Sequence, residues 1–134
     1  MSKSDLAIKL HDKGYNCAQA VACAFAEDLK IPKETLFAVC EGLGFGMGSA
    51  EEACGALSGA VIIAGLKNST RNLDLPNSKK ETYLLAGKIR ESFKSKVHGT
   101  VCKEIKGLES GKMLCSCADC IKAGAEAIEE VLKI

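Results

Sequence analysis

The chain has no tryptophan, and aromatic residues make up only 4% of its 134 positions. Its interior must therefore be built from Ala, Leu, Ile and Val. Proline occurs twice, and with a hydrophobic fraction of 47% this excludes a disordered or Pro-rich segment. Charge of one sign is also nearly lacking. Eighteen Lys and Arg face seventeen Asp and Glu, a formal net charge of +1, which gives no support to a nucleic-acid partner. There is no long apolar run. The longest uncharged stretch, Ala53 to Leu66, is too short and too rich in Gly and Ala to span a bilayer. The first residues, Met1 to Asp5, are polar and lead into an amphipathic segment without the apolar region of a secretion signal. The expectation is a soluble, cytoplasmic protein with no membrane partner. At roughly 150 residues per domain, 1–134 reads as a single domain.

Cysteine, by contrast, is abundant, with eight in the chain. That is short of the roughly 8–10% that marks a small disulfide scaffold. In a reducing compartment, clustered cysteines point to metal binding or redox chemistry rather than structural bridges.

The apolar pattern is helical almost throughout, and period-two runs of β-branched residues are missing, so the fold class is all-α. A compact bundle of about five main helices plus short helical turns is expected. A first helix runs from Ser4 to Gly14 with Leu6 and Leu10 on one face. Asn16 caps a second that extends to about Lys30, with Cys17, Val21, Ala24 and Phe25 along its inner stripe. Pro32 opens a short third carrying Leu36, Phe37 and Cys40 on one side. Glycine then recurs at every second position from Gly42 to Gly48. No strand precedes it, so a nucleotide loop is a weak reading. A tight backbone path approaching something buried is the better one.

Ser49 with Glu52 reads as a capping box for a helix from Ala50 to Leu66, and Ser78 with Glu81 as a second box. Gly55 and Gly59, one turn apart, permit close helix approach, either inside the fold or across a dimer interface. The second box opens a long helix with Leu85, Ile89, Phe93 and Val97 inward, stopped at Gly99. A turn carries Cys102 before Gly107. The last helix starts near Ser116 and buries Ile121, Ala125, Ile128 and Leu132.

Cys17, Cys54, Cys102 and Cys120 each fall within about the first turn of an expected helix. Helix N-termini favour thiolate over thiol and suit an anionic thiolate-ligated group. Short, uncrossed connections let all four starts meet at one pole. Cys23 and Cys40, mid-helix among apolar residues, read as core packing. Cys115 and Cys117 form Cys-Ser-Cys-Ala-Asp-Cys with Cys120, which contains a Cys-x-x-Cys usable as a redox pair or as spare ligands. The pairwise ligand spacing of most zinc sites and the compact ferredoxin run are both absent. Ile121 after Cys120 excludes covalent c-type haem. Of the two histidines, His98 lies close before Cys102, where it either tunes the site or simply faces solvent at a helix C-terminus.

The hexapeptide Cys54-Gly55-Ala56-Leu57-Ser58-Gly59 resembles the Cys-Gly-Ala-x-x-Gly signature of the redox-active family C_GCAxxG_C_C. Tyr15-Asn16-Cys17-Ala18-Gln19-Ala20-Val21, Gly44-Phe45-Gly46-Met47-Gly48, Gly99-Thr100-Val101-Cys102 and Cys120 resemble its other elements, in order. The family resembles a domain of the split-Soret cytochromes, dimeric helical proteins with an iron–sulfur centre beside haem. Without the haem motif, only the iron–sulfur part carries over. The resemblance implies four cysteine positions, Cys17, Cys54, Cys102 and Cys120, and leaves Cys23, Cys40, Cys115 and Cys117 outside the pattern. The leading expectation is an iron–sulfur cluster on Cys17, Cys54, Cys102 and Cys120, used for electron transfer with a redox partner protein. The alternatives are an oxidoreductase working by thiol–disulfide exchange, with Cys117 and Cys120 or two of the four thiols as the pair, and a zinc-bound or metal-free structural module that forms a homodimer.

Overall fold

The computed structural model describes residues 1–134. It contains eight α-helices, six of them seven residues or longer, and no strand. They are α1 (Lys3–Asp12), α2 (Cys17–Cys23), α3 (Ala26–Leu29), α4 (Lys33–Glu41), α5 (Gly55–Asn68), α6 (Lys79–Val97), α7 (Cys102–Lys106) and α8 (Cys117–Leu132). The all-α class holds, and the expectation of about five main helices is approximate: the helix opened by Pro32, expected to be short, runs nine residues as α4.

The helix expected over 16–30 is broken into α2 and the four-residue α3. The Phe25 N–H donates to Ala22 O at 3.0 Å, a tighter turn than α, and Phe25 leaves helical geometry at φ −106°, ψ 7°. The chain restarts as α3 and ends at Lys30 in the left-handed region, φ 56°. The turn brings Phe25 itself to full burial.

Helix α2 forms the centre. It packs on α1, α4, α5 and α8, while α6 lies across α5 and α8. The close approach of α5 to α2 needs the small residues noted above. A Cβ on Gly59 would stand 2.6 Å from Ala18 O, and one on Gly124 of α8 would stand 2.8 Å from Ala56 O. Gly55 and Gly59 therefore serve packing inside the fold. The stripes Ile89, Phe93, Val97 on α6 and Ile121, Ala125, Ile128, Leu132 on α8 are buried as expected, with Leu85 partly so.

Both expected Ser/Glu capping boxes are absent. Residues 52–54 pair in an isolated antiparallel bridge with 100–102: the Cys54 N–H donates to Thr100 O at 2.7 Å and the Cys102 N–H to Glu52 O at 2.9 Å. Those bonds hold the backbone extended, so α5 begins at Gly55 with Cys54 as its N-cap. Ser49 and Glu52 lie before it, and Glu51 pairs instead with Lys103 at 2.9 Å. At the second site, Ser78 Oγ accepts from the Thr70 N–H at 3.1 Å, which turns it away from the start of α6. That helix ends at His98, which takes the left-handed position expected of Gly99. The first helix is also shifted: Ser2 is its N-cap, with its hydroxyl accepting from the Asp5 N–H.

The glycine stretch makes a left-handed turn. Phe45, Gly46, Met47 and Gly48 all have positive φ (53°, 55°, 62° and 85°). Gly44 and Gly46 face inward and are buried, whereas Phe45 and Met47 face out. A Cβ on Gly44 would meet the Asn16 side chain at 2.6 Å, and one on Gly46 would meet Cys102 Cβ at 2.7 Å. The alternation is a close-approach device against the starts of α2 and α7. No helix is long and apolar enough to cross a membrane.

Candidate functional site

The starts of α2, α5, α7 and α8 meet around one cavity of about 190 Å³. Each is held there by a different local device. At α2, Asn16 Oδ1 accepts from the Gln19 N–H at 2.9 Å and Gln19 Oε1 accepts from the Asn16 N–H at 3.0 Å, a complete capping box. The remaining amide protons of both side chains donate to Glu41 O and Phe37 O of α4, which fixes the α2 start against α4. The short bridge described above ties the start of α5 to that of α7. At α8, Ser116 Oγ accepts from the Asp119 N–H, while the Leu114 N–H donates to Ile105 O at 2.8 Å and fastens the incoming loop to α7.

Six cysteines line the cavity: Cys17, Cys54, Cys102, Cys115, Cys117 and Cys120. Cys17, Cys102 and Cys117 are the first residues of α2, α7 and α8, Cys54 caps α5, and Cys120 lies one turn into α8. Cys54, Cys102 and Cys120 are buried, and the other three half-buried. Cys23 and Cys40 are buried elsewhere in the apolar core, with the Cys23 thiol 3.9 Å from Lys33 O. The structure thus brings together the four expected cysteines and adds Cys115 and Cys117. It also places His11, Phe45 and Lys106 on the cavity wall. His98, considered above as a tuning residue, is exposed and does not line the cavity.

The thiols are electrostatically unequal. Cys54 is held down to about 7 by hydrogen bonding with Cys120, supported by the N–H groups of Ala56 and Leu57 and by Lys106, against the opposing effect of burial. Its partner Cys120 is pushed up by the same hydrogen bond and by burial. The pair therefore gives up one proton readily and keeps the second. Cys17 is pushed up to about 12 by burial, by proximity to Cys54 and Cys117, and by a hydrogen bond with Cys117. Burial also raises Cys102 and Cys115, with Lys106 working against the rise at Cys102.

Thiolates are soft ligands suited to iron–sulfur clusters, Zn and Cu(I), and they must lose their protons to bind. No three His, Cys, Asp or Glu side chains are grouped so as to hold a single metal ion. The six cysteines line the cavity with Cys17 beside Cys117 and Cys120 beside Cys54 and Cys115. This donor set fits a thiolate-ligated group that occupies the space between them.

A helical bundle with six thiols turned onto one cavity defines a cysteine-rich protein of the redox-active class. Residues 15–131 match the family described as "Putative redox-active protein (C_GCAxxG_C_C)", and the chain belongs to that family. No curated protein and no solved structure matches it.

Lys106, Phe45 and His11 were not assigned to the site from the sequence, whereas Cys115 and Cys117 were read there as spare ligands or, for Cys117 with Cys120, as a redox pair. For Lys106 a signal existed. It lies four residues after Cys102, on the same face of α7. Cys115 and Cys117 were visible by number but fell outside the family pattern. Phe45 and His11 carry no local signal, because their approach depends on the left-handed turn and on the packing of α1.

Proposed function

We propose that the protein is a small cytoplasmic redox protein in which Cys17, Cys54, Cys102 and Cys120 ligate an iron–sulfur cluster for electron transfer to or from a partner protein. The observation that carries this reading is that four helix starts remote in sequence turn these thiols onto one cavity. When bound, the cluster supplies one-electron chemistry. The chain's own residues do the rest. Cys54 is already near neutrality in its first ionisation, so it is the thiol that enters ligation at least cost in deprotonation. The N–H groups of Ala56 and Leu57 that hold its charge remain directed at the sulfur, a pattern that adjusts potential. Phe45 and Ile105 on the cavity wall limit water.

Anaerobic purification followed by a visible spectrum and assays for iron, acid-labile sulfide and zinc tests the reading. Brown protein with iron and sulfide in fixed proportion to the chain is expected. Cys54→Ser should lose it, whereas Cys115→Ala and Cys117→Ala should keep it. Zinc without sulfide, or colourless protein after iron and sulfide reconstitution, overturns the proposal.

Thiol–disulfide exchange is a second reading, favoured by the Cys54–Cys120 contact. A thiolate formed near neutral pH sits beside a protonated partner, the arrangement of an attacking and a resolving thiol. Colourless protein that loses two free thiols on mild oxidation, with Cys54 one of them, would favour it.

A further inference from the structure

Among Lys and Arg side chains, only that of Lys106 lines the cysteine cavity, and no Asp or Glu lines it. Cys102 and Lys106 are the first and last residues of α7, so one turn of helix presents both to the same space. The ammonium is carried by a half-buried side chain. It stands 5.3 Å from the centre of the Phe45 ring, within cation–π range. Phe45 is half-exposed yet reaches this rim because its backbone is left-handed, φ 53°, between two buried glycines. A non-glycine residue in that conformation is uncommon and is kept only where the surroundings enforce it. Lys106 also favours the thiolate form of Cys17, Cys54 and Cys102, which arrive from three different elements.

We propose that Lys106, aimed by the Phe45 ring, is the positioning residue that supplies the counter-charge of the thiol cavity, selecting an anionic occupant and an anionic reagent over neutral ones. The physical reason is the imbalance of the wall. Four ligating thiolates bring negative charge into a partly dry space, and one fixed cation close by stabilises the more negative state of whatever they hold. For a group that cycles by one electron, the reduced state is the more negative, so Lys106 raises the midpoint potential. That last consequence rests on the cluster reading; the selection of anions does not.

Two measurements on the full chain separate these. In anaerobically reconstituted protein, Lys106→Met should move the midpoint potential to more negative values, Lys106→Arg should restore it, and Phe45→Leu should fall between. In reduced, metal-free protein, thiol reaction is followed with a dianionic aromatic disulfide and with a neutral dipyridyl disulfide. In each, a protein thiolate attacks, one aryl thiolate leaves, and a mixed disulfide remains. Lys106→Met should slow the anionic reagent by about tenfold relative to the neutral one, and high salt should erase the difference. An unchanged anionic-to-neutral ratio, or no rescue by Lys106→Arg, overturns the proposal. If wild-type protein takes up no cluster, the cluster reading fails by itself, and the reagent ratio still decides the role of Lys106.

Discussion

Cys54 shows how several weak influences on one sulfur add to a chemical property. A thiol with 6% exposure should hold its proton tightly, because burial penalises the charged form. Here the Cys120 hydrogen bond, the Ala56 and Leu57 N–H groups and the Lys106 charge outweigh that penalty and bring it from 9.0 to about 7. Its place near a helix start was read from the Ser49–Glu52 pair, a box that does not form; Cys54 itself is the N-cap. The Cys120 contact was not legible, because it joins residues 66 positions apart, at 54 and 120, through the packing of α8 on α5. In reduced, metal-free protein, alkylation of Cys54 by iodoacetamide, followed by peptide mass spectrometry, should have its half-maximal rate near pH 7. Cys120→Ala should move that midpoint upward, since it removes the largest of the lowering effects. A wild-type midpoint near 9 would mean that the hydrogen bond is not formed.

Among the secondary-structure elements, sequence reasoning was sound where side chains act along their own helix and failed where a distant segment competes for the same atoms. The α8 stripe and the Asn16 cap depend on local periodicity and were legible. Ser49 with Glu52 and Ser78 with Glu81 carry an equally local signal, but the Glu52 N–H donates to Gly46 O, the Ser78 hydroxyl accepts from the Thr70 N–H, and the bridge to 100–102 moves the helix start on to Gly55. The small residues of α5 were legible as a close-approach face, though not the side on which the approach occurs. Because a Cβ at Gly59 would meet the Ala18 carbonyl at 2.6 Å, Gly59→Val should destabilise the fold by at least about 1–3 kcal/mol, measured by urea unfolding. The same substitution on an exposed glycine with open space, Gly87, should be neutral to stabilising by roughly 0.3 kcal/mol at most, because Val is a better helix former than Gly. Equal losses would contradict the α2–α5 contact. The start of α8 is the other informative element, since Cys117 hydrogen-bonds with Cys17, and Cys120 with both Cys54 and Cys115. Mild oxidation of metal-free protein with a diazene oxidant, which takes up two hydrogens per disulfide formed, should therefore yield Cys17–Cys117 together with either Cys54–Cys120 or Cys115–Cys120. Peptide mapping that finds Cys117 joined mainly to Cys120 would show that α8 does not sit as described.

Across the whole molecule, the unequal thiols make stability depend on pH in two opposite senses. Cys54 has a lowered value when folded, about 7 against 9.0. As pH rises from 7 to 9 the folded chain has released this proton while the unfolded chain still holds it, so stability grows; the contribution is full above 9 and is lost as pH falls through 7. Cys40, buried away from the cavity, is raised to about 11 by burial and by nearby Cys23, and Cys17 is raised to about 12. Their contributions are full below 9 and disappear as pH rises from 9 toward 11–12, because the unfolded chain ionises first. Each two-unit difference corresponds to something on the order of 2–3 kcal/mol. Urea unfolding of reduced, metal-free protein should therefore give stability that climbs to a maximum near pH 9 and then falls. The decisive quantity is the difference between variant and wild type. Cys54→Ala should flatten the rise below 9 and also soften the fall, because it removes a cause of the raised Cys17 and Cys120 values, whereas Cys40→Ala should leave the rise and make the fall shallower. A Cys40→Ala curve parallel to wild type above pH 9 would show that this thiol is solvated in the folded chain, and would remove it from the core in which the structure places it.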